Sequence, residues 1–357
     1  MRTEEHTVDV AVVGGGQAGL AAGYFLRRAK IDHVILDGGA APGGSWTGYW
    51  RSLRLFSPAG HSMLPGWWMP AEDGHEYPSA AHVAWYLAEY ERRYALPVRR
   101  PVHVRGVERT DRALRVVTER GVWRARYVIS ATGTWGSPHI PSVPGRSEFR
   151  HRQLHTVDYR APEEFTGQRV VVVGGGNSAA QILAELSRVA ETTWTTARPP
   201  RFLPDDVDGR ALFDIATRRQ RAERNGDRTV RGLGDLGDIV MVPSVREARD
   251  RGALKAEPMF DRLSRTGVVW ADGTELACDA VVWCTGFRPV LGHLAPLEPF
   301  DADGRIPVDG NRSLREPRLF LLGYGDWTGA ASATLVGAGR TAKATVAGIA
   351  EALAHER

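Results

Sequence analysis

The chain has 357 residues, of which 43% are apolar and 25% are charged, and this length suits two domains of roughly 100–200 residues with buried cores. Its 46 Lys and Arg residues are balanced by 42 Asp and Glu residues and are spread along the chain, which argues against a nucleic-acid-binding protein. Two cysteines are too few for a disulfide framework or a cysteine-rich metal site. The first apolar strand begins at Val8, and no apolar run reaches the ~20 uncharged residues of a membrane span. We therefore expect a soluble, cytoplasmic protein.

The predicted elements repeat one small pattern, an apolar strand followed by a glycine-rich loop and a helix. In chain order, the sequence predicts strand 8–13, loop 14–19 and helix 20–28, a loop-rich stretch over 43–70, a helix capped by Ser79, a three-stranded meander over 102–130, then strand 170–173, loop 174–179, helix 181–189 and strand 193–196. Residues 205–257, with a glycine cluster at Gly232–Gly237, predict an exposed loop. A hairpin turning at Asp272-Gly273, strands over 281–284 and 319–322, and a helix from about Ala331 complete the chain.

The first glycine loop, Gly14-Gly15-Gly16-Gln17-Ala18-Gly19, has the context of a dinucleotide-binding site. It follows a strand, opens a helix and precedes a second strand that ends in Asp37, an acid that can accept hydrogen bonds from ribose hydroxyls. Gly14 permits the tight turn, Gly16 lets the backbone approach a pyrophosphate, and Gly19 brings the helix against the strand. The helix N-terminus, which includes Ala18, supplies N–H groups and a positive dipole to the phosphates.

The second glycine loop ends in Ala179, which the fingerprint allows, and its candidate NADPH-binding residues are Gly174, Gly176, Asn177 and Ser178. The strand that follows leads to Arg198 instead of an acid, and a cation there accommodates the 2′-phosphate of NADPH. Two dinucleotide sites in one chain indicate one bound redox cofactor and one exchangeable hydride donor. We therefore predict an α/β fold with two doubly wound dinucleotide-binding domains, an FAD domain over 1–157 and 281–357 and an inserted NADPH domain over 158–280.

Two apolar strands end in turns of small residues, at Ala131-Thr132-Gly133 and at Cys284-Thr285-Gly286. Such turns let the chain cross between domains or pass close to a cofactor, and we assign the first turn to FAD and the second to NADPH. Asp326 follows a buried strand and precedes a helix of small residues. This position suits a carboxylate that binds the ribityl chain of FAD, and a simple helix cap is the other interpretation.

These motifs resemble those of the flavin-containing monooxygenase and Baeyer–Villiger superfamily, and most closely the short ArsO flavoproteins encoded near arsenic-resistance genes. The linker signature of that superfamily, Phe-x-Gly-x-x-x-His, is present as Phe149, His151 and His155, with His151 where glycine is usual and Tyr159 in the aromatic position. The resemblance also implies FAD contacts from Gly44, Trp46 and Val104. Other segments that carry it are Gly43–Trp46, Ser52–Pro58, Arg198–Pro200, Gly237–Val240, Cys284–Pro289 and Gly323–Gly329.

The resemblance implies hydride transfer from NADPH to FAD, followed by reaction of the reduced flavin with O₂ to form a C4a-(hydro)peroxyflavin. That species would oxygenate a small soft nucleophile: a sulfide, an amine or an arsenical. The cofactors carry this chemistry, so we name no catalytic acid or base. Many members of the superfamily carry an active-site Asn that supports NADP⁺ and the flavin hydroperoxide, and Phe56 takes its place here, near the flavin.

Because Phe56 replaces a polar residue, an NADPH oxidase that releases H₂O₂ is an alternative to the monooxygenase. A non-catalytic redox-sensing flavoprotein is a further alternative. A disulfide reductase on the same fold needs a cysteine pair beside the flavin, and Cys278 and Cys284 have the wrong spacing. Two separated cysteines also cannot form a three-thiol arsenic site. An arsenical substrate is therefore suggested by the family resemblance alone. The expected partners are O₂ and a small-molecule substrate, with neither nucleic acid nor membrane, and the sequence carries no signal for an oligomeric state.

Overall fold

The computed structural model describes residues 4–207, 209–211, 239–329 and 331–356. The chain forms two compact units, the first from Met1–Thr47, Ala59–Gly136 and Pro289–Arg357 and the second from Gly48–Pro58 and Ser137–Arg288. The predicted loop at Gly232–Gly237 and the start of the Gly237–Val240 motif lie outside the described residues.

The elements of the described residues are these. The helices are α1 (Gln17–Arg28), α2 (Ala80–Arg93), α3 (Asn177–Leu186), α4 (Pro243–Asp250) and α5 (Leu335–His355). The strands are β1 (Glu5–Val13), β2 (His33–Leu36), β3 (Val98–Arg99), β4 (Val104–Arg109), β5 (Leu114–Thr118), β6 (Gly121–Ser130), β7 (Arg152–His155), β8 (Arg169–Val173), β9 (Glu191–Thr196), β10 (Ala256–Pro258), β11 (Arg262–Leu263), β12 (Gly267–Val269), β13 (Glu275–Ala277), β14 (Ala280–Trp283), β15 (Val308–Asp309), β16 (Arg312–Ser313) and β17 (Leu319–Leu321).

The first unit is built on a sheet with the strand order β15-β16-β17-β6-β1-β2-β3, to which β5 and β4 are added beside β6. The five strands from β17 to β3 are parallel. Val13, at the end of β1, pairs with Leu36 of β2 and with Ser130 of β6. The carboxyl ends of three neighbouring strands are therefore level, which brings their loops to one edge of the sheet.

The second unit repeats this arrangement in a five-stranded parallel sheet of order β10-β9-β8-β14-β7. Val173 of β8 pairs with Thr195 of β9 and with Trp283 of β14. The second glycine loop and the turn at Cys284 therefore begin at the same edge. A small antiparallel sheet, β11-β12-β13, is also part of this unit and contributes to its apolar core.

Several predicted elements are confirmed, among them the meander formed by β4, β5 and β6 and the helix capped by Ser79, whose hydroxyl accepts from the His82 N–H. Helix α4 lies within the stretch that was predicted to be a loop. The prediction was wrong because the segment is mostly polar and only Val245 and Ala248 are buried. The last helix begins at Leu335 instead of Ala331. Ala331 has a φ of +59°, which ends helical geometry there.

The compact units also begin and end at different residues from the predicted domains over 1–157, 158–280 and 281–357. Strand β7 precedes the second glycine loop but pairs with β14, and β14 belongs to the second sheet. The second unit therefore takes in residues on both sides of the predicted 158–280 domain. Among the described residues, no helix has the length and apolar character needed to cross a membrane.

Candidate functional site

The first glycine loop follows β1 at the carboxyl edge of the first sheet. Gly14 has a φ of +107°, and a Cβ atom there would lie 2.5 Å from the carbonyl oxygen of Ala131, so only glycine fits. A Cβ at Gly19 would lie 1.9 Å from the Gly14 oxygen, which shows how closely helix and loop approach. A Cβ at Gly16 would meet no described atom within 4 Å. The loop is therefore open at Gly16, where a pyrophosphate would approach.

Asp37 follows β2 at this edge and is buried in an ion pair. Its Oδ2 atom accepts from Nε of Arg100 at 2.7 Å, and Arg100 in turn donates two hydrogen bonds to Glu91, at 3.0 and 3.1 Å. The Asp37 carboxyl group also borders the glycine loop, since a Cβ at Gly15 would lie 2.8 Å from it. Arg100 is 63 positions from Asp37 along the chain, so no local pattern could have predicted this pair.

Another segment packs on the N-terminal end of α1. Gly44 lies against the loop, with its Cβ position 3.0 Å from Cα of Gly16. The indole N–H of Trp46 donates to Oε1 of Gln17 at 2.9 Å, and Nε2 of Gln17 donates to the Ala333 carbonyl at 2.5 Å. No described side chain caps the helix, and its first turn contains no acid. Its N–H groups are therefore available to an anion.

The segment before α5 also lies against the N-terminal end of α1. A Cβ at Gly323 would lie 2.8 Å from the Ala18 side chain. Asp326 follows in a short 3-10 helix, Gly325–Thr328, and precedes α5 as the sequence predicted, while the N-cap of α5 is Thr334. Val104 begins β4 and packs half-buried against the core of the first unit.

The turn Ala131-Thr132-Gly133 is held by hydrogen bonds from buried side chains. The Tyr324 hydroxyl lies 2.7 Å from both the Ser130 and the Thr132 hydroxyl and accepts the Thr132 N–H at 3.3 Å. The Thr132 hydroxyl donates to the Val290 carbonyl at 2.6 Å, and the Val290 N–H donates to the Gly133 carbonyl at 3.0 Å. These hydrogen bonds connect the turn to Tyr324 and to Val290, and so hold it in one conformation.

The donor of each hydrogen bond around the Tyr324 hydroxyl can be assigned, because each hydroxyl has a single hydrogen to donate. Thr132 donates to a carbonyl, so its oxygen must accept from Tyr324, and Tyr324 must then accept from Ser130. The Ser130 oxygen therefore accepts from Nε2 of His293 at 3.1 Å. His293 is neutral with its proton on Nε2, and burial lowers its pKa to about 4. Sequence analysis missed His293, because no motif contains it.

The second glycine loop follows β8 and has the same close approach. Gly174 has a φ of +129°, and a Cβ there would lie 2.2 Å from the Cys284 carbonyl oxygen. The Gly174 carbonyl accepts from the indole N–H of Trp194 at 2.7 Å, a contact that sequence analysis missed. A Cβ at Gly176 would meet no described atom within 4 Å, so this loop is also open to a pyrophosphate.

Helix α3 begins at this loop, with neither an acid in its first turn nor a side-chain cap among the described residues. Oδ1 of Asn177 accepts from the Val240 N–H at 2.8 Å, so this side chain fixes a neighbouring segment, while Ser178 is half-buried beside it. Arg198 is exposed after β9, and its carbonyl oxygen lies 3.9 Å from the Cβ position of Gly175. The predicted 2′-phosphate ligand is therefore next to the loop.

The turn Cys284-Thr285-Gly286 is held by two histidines of the second unit. The Thr285 hydroxyl donates to the His139 carbonyl. The Gly286 carbonyl lies 3.0 Å from Nε2 of His155, whose Nδ1 accepts the Val157 N–H at 3.3 Å. Nε2 must therefore carry the proton, and burial lowers the pKa of His155, which keeps the ring neutral.

The rest of the linker signature is structural. Phe149 is buried in the core of the second unit, and His151 is exposed, which explains why it can replace the usual glycine. The Tyr159 hydroxyl donates to Oε1 of Glu185 at 2.6 Å, and the Ser52 hydroxyl donates to the other oxygen of that carboxylate. Burial raises the pKa of Glu185, while these two hydrogen bonds oppose the shift.

Phe56 lies in the segment Gly48–Pro58, which packs as part of the second unit although its chain neighbours belong to the first. The Phe56 side chain is half-buried, and its carbonyl accepts from the Gly209 N–H at 2.8 Å. The expected place of Phe56 near the flavin stays a prediction.

Neither cysteine has the environment of a reactive thiol. Cys278 is buried and Cys284 is half-buried, and both are free. Burial raises the pKa of Cys278 to about 11 and that of Cys284 to about 12. Both groups therefore stay protonated at neutral pH, whereas redox-active cysteines need a lowered pKa.

Comparisons with known proteins agree with this geometry. A family model described as pyridine nucleotide-disulphide oxidoreductase matches residues 11–208. A solved structure of a flavin-containing monooxygenase from Stenotrophomonas maltophilia is 52% identical, with a TM-score of 0.89 over 98% of this chain and 99% of that one. An uncharacterized CzcO-like oxidoreductase of Geobacillus kaustophilus is 28% identical over 93% of this chain and 95% of its own length. The indole-3-pyruvate monooxygenase YUCCA8 of Oryza sativa subsp. japonica is 27% identical over 95% and 90%.

The chain belongs to the pyridine nucleotide-disulphide oxidoreductase family, and its homologues include flavin monooxygenases. The predictions of an oxidoreductase enzyme and of an α/β fold with two dinucleotide-binding domains are therefore confirmed. The flavin monooxygenase family uses FAD and NADPH, the two cofactors predicted from the sequence. The two open glycine loops, each beside a helix N-terminus that no described side chain caps, fit the pyrophosphates of these cofactors.

Substitution of Gly14 and of Gly16 by alanine should have different effects on stability and on FAD binding. Gly14→Ala should lower the free energy of unfolding by about 1–3 kcal/mol, because it forces a residue with a side chain into a positive φ against the Ala131 carbonyl. Gly16→Ala should leave that free energy within about 0.5 kcal/mol of the wild type and weaken FAD binding. Urea unfolding of the FAD-free protein and fluorescence titration with FAD measure both. Equal losses of stability in the two variants would contradict the different roles assigned to these glycines.

The neutral His293 predicts a pH dependence of stability. Its folded pKa of about 4 is below the unfolded value of 6.5, so the unfolded state takes up the proton first and stability falls as the pH drops from 6.5 to 4. The loss from this group should be at most about 3 kcal/mol. His293→Gln keeps an N–H donor for Ser130 but does not titrate, so denaturant unfolding of this variant should show a shallower pH slope. Identical slopes would contradict the assignment.

Proposed function

We propose that this protein is an FAD-dependent NADPH monooxygenase that oxygenates a small soft nucleophile. The balanced reaction is NADPH + H⁺ + O₂ + S → NADP⁺ + H₂O + SO, where S is the nucleophile. NADPH supplies two electrons, one oxygen atom goes to the substrate, and the other leaves as water. Bound FAD would supply the chemistry that passes those electrons to O₂.

The observation that carries the proposal is the occurrence of two equivalent glycine loops, one in each compact unit. Each loop follows the central one of five parallel strands, and each touches the turn after the neighbouring strand. Two such loops suit one resident and one exchangeable dinucleotide. The protonated cysteines support the choice of a monooxygenase over a disulfide reductase, because no thiolate is available.

In the first unit, the residues around α1 would bind FAD. The open N–H groups at Gly16 suit the pyrophosphate, and Asp37 suits the ribose hydroxyls because Arg100 fixes its carboxylate at the loop. We assign further FAD contacts to the turn Ala131-Thr132-Gly133, to Gly44, Trp46 and Val104, and to Asp326. The hydrogen bonds of Tyr324 would keep the turn in one conformation as the cofactor changes its redox state.

In the second unit, the loop from Gly174 to Ser178 would bind the pyrophosphate of NADPH, and Arg198 would pair with its 2′-phosphate. The turn Cys284-Thr285-Gly286 would lie beside the nicotinamide half. His155 would keep the turn in place by its hydrogen bond to Gly286. A neutral His155 suits this role, because it adds no charge to the site.

Arg198 predicts the preference between the two nicotinamide cofactors. Arg198→Ala should raise the KM for NADPH by about 10–100-fold, the loss expected for a hydrogen bond to a charged group, and leave kcat/KM for NADH nearly unchanged. Steady-state oxidation of each cofactor measures this. Arg265→Ala, another exposed arginine of the second unit, is the matched control. If Arg198→Ala keeps the wild-type preference for NADPH, the assignment of the 2′-phosphate is wrong.

The substrate is proposed by chemical class. Sulfides, amines and arsenicals are the soft nucleophiles that this chemistry oxygenates, and the likeness to ArsO flavoproteins favours testing methylated arsenicals beside sulfides. Phe56, in place of a polar residue, favours the NADPH oxidase as the second candidate function. The cytoplasmic location stays a prediction.

One experiment separates these functions. The FAD-loaded enzyme is reduced anaerobically with one equivalent of NADPH and mixed with oxygenated buffer, with and without methyl phenyl sulfide, while the flavin spectrum, H₂O₂ and sulfoxide are measured. For a monooxygenase we expect a transient absorbing species that is neither oxidised nor reduced FAD, and about one sulfoxide per NADPH.

The alternatives give other results. Direct return of oxidised FAD with one H₂O₂ per NADPH, with or without sulfide, would identify an oxidase, and Phe56→Asn should then lower the H₂O₂ yield. Slow reduction by NADPH, followed by no product of either kind, would indicate a redox-sensing protein and contradict the proposal.

A further inference from the structure

The segment Gly48–Pro58 packs as part of the second unit, while Thr47 and Ala59, the residues on either side of it, belong to the first unit. The chain therefore enters the second unit and leaves it again within one short segment. Phe56, which the family resemblance puts in the place of an active-site Asn, lies in this segment. The contacts that fix the segment on the second unit therefore also fix the position of Phe56.

The first half of the segment is fixed by the residues that follow β7. Nη1 of Arg160 donates to the Gly48 carbonyl at 3.1 Å, and the Arg51 N–H donates to the Arg160 carbonyl at 3.3 Å. The Trp50 side chain is buried, and its ring meets that of Tyr159 edge-on, with the centroids 6.1 Å apart. Two hydrogen bonds and one buried aromatic contact therefore hold this half in place.

The carboxylate of Glu185 makes the next contact with the segment. Its Oε1 atom accepts from the buried Tyr159 hydroxyl at 2.6 Å, and its Oε2 atom accepts from the Ser52 hydroxyl. Burial raises the pKa of Glu185, as the Glu163 carboxylate does to a smaller extent, whereas the two hydroxyls oppose the shift by stabilising the charge. Ser52 is therefore held by a charge-assisted hydrogen bond, which is stronger than a neutral one.

Glu185 lies in the last turn of α3, the helix that begins at the second glycine loop. One face of this helix is buried within the second unit, through Ala179, Ala180, Ile182, Leu183, Ala184 and Leu186. A closely packed helix moves as one body, so the carboxylate at its end keeps a fixed place relative to the loop at its start. The helix that is proposed to bind NADPH at one end therefore holds the segment of Phe56 at the other.

The second half of the segment is held by Gly209, another residue of the second unit. The Gly209 N–H donates to the Phe56 carbonyl at 2.8 Å. A Cβ at Gly209 would lie 2.5 Å from that carbonyl oxygen and from Cβ of Ser57, so the two stretches of backbone are in close contact. Ser52 lies between the two anchored halves, where its hydrogen bond to Glu185 connects the segment to a side chain of α3.

We propose that Glu185 is a positioning residue, whose carboxylate holds the segment Gly48–Pro58 on α3 and so sets the place of Phe56. This inference rests on the proposed function, in which Phe56 lies near the flavin. Without the carboxylate, the residue beside the flavin loses its fixed place, and more of the O₂ is released in the uncoupled reaction NADPH + H⁺ + O₂ → NADP⁺ + H₂O₂. The glycine loop at the other end of α3 is unchanged, so the KM for NADPH should stay within about twofold of the wild type.

Hydrogen–deuterium exchange of the FAD-loaded enzyme tests the hold on the segment directly. Glu185→Gln keeps the shape of the side chain but turns one acceptor oxygen into an N–H donor that faces a hydroxyl. The N–H groups of Arg51 and Leu53, which donate to carbonyls in the wild type, should then exchange about tenfold faster or more. The amides of α2, in the first unit, should keep their rates, which separates local release from a general loss of stability.

Two further variants complete the design. Ser52→Ala removes one donor at an exposed position, so it should have the same effect and keeps the test valid if Glu185→Gln does not fold. Glu275 is an exposed carboxylate of the same unit that also accepts from a serine, Ser264. Glu275→Gln is therefore the matched control, and it should change neither the exchange of the segment nor the products.

The same variants are then assayed with NADPH and methyl phenyl sulfide, and H₂O₂ and sulfoxide are measured together. In Glu185→Gln and Ser52→Ala, the ratio of H₂O₂ to sulfoxide should rise by about tenfold, in step with the faster exchange. A residue with a merely structural role would lower the overall rate and leave this ratio unchanged.

Three results would overturn the proposal: unchanged exchange of the segment in both variants, equally faster exchange in α2, or faster exchange of the segment with a wild-type product ratio. If the wild-type enzyme itself yields H₂O₂ and no sulfoxide, the proposed monooxygenase function fails. The exchange rates of the segment alone then decide whether Glu185 holds it on α3.

Discussion

The structure depends on one constraint, the close approach of a strand-ending turn to a glycine at the end of the neighbouring strand. It occurs twice, as Gly14 against Ala131 and as Gly174 against Cys284, with Cβ positions 2.5 and 2.2 Å from the facing carbonyl oxygens. In each sheet the glycine loop follows the central one of five parallel strands. The approach therefore places the loop, the turn and the start of a helix within reach of a single ligand.

The two turns are rigid for different reasons. In the first unit, the Tyr324 hydroxyl joins the turn to a neutral His293 through a chain of hydrogen bonds in which each of the three hydroxyls both donates and accepts. In the second unit, His155 donates directly to a turn carbonyl. A fully satisfied buried network favours one conformation, because moving any member exposes an unpaired polar group. A redox site benefits from this, since electron and hydride transfer need fixed geometry.

The sequence predicts the local part of this design and misses the long-range part. The glycine loops, the strands before them and the acid at Asp37 follow from patterns within about forty residues of chain. The Arg100 that holds Asp37 and the Trp194 that holds the second loop do not, because such contacts form only when distant segments are brought together by the fold. Helix α4 was missed for another reason: with only two buried residues, it has too weak a periodicity to be recognised.

The division of the chain has a consequence for synthesis. The first unit includes Pro289–Arg357, which supply β17 beside β6 and the whole of α5, while the second unit ends at Arg288. A ribosome therefore releases every residue of the second unit before the last strand of the first unit has been made. Although domains usually fold from the N-terminus onward, here the sheet that begins first must be completed last. Until then, the end of β6 from Val128 to Ser130 stays without its neighbour on one side, while β5 covers the beginning of the strand, so the nascent chain has a period in which a short open sheet edge can pair wrongly.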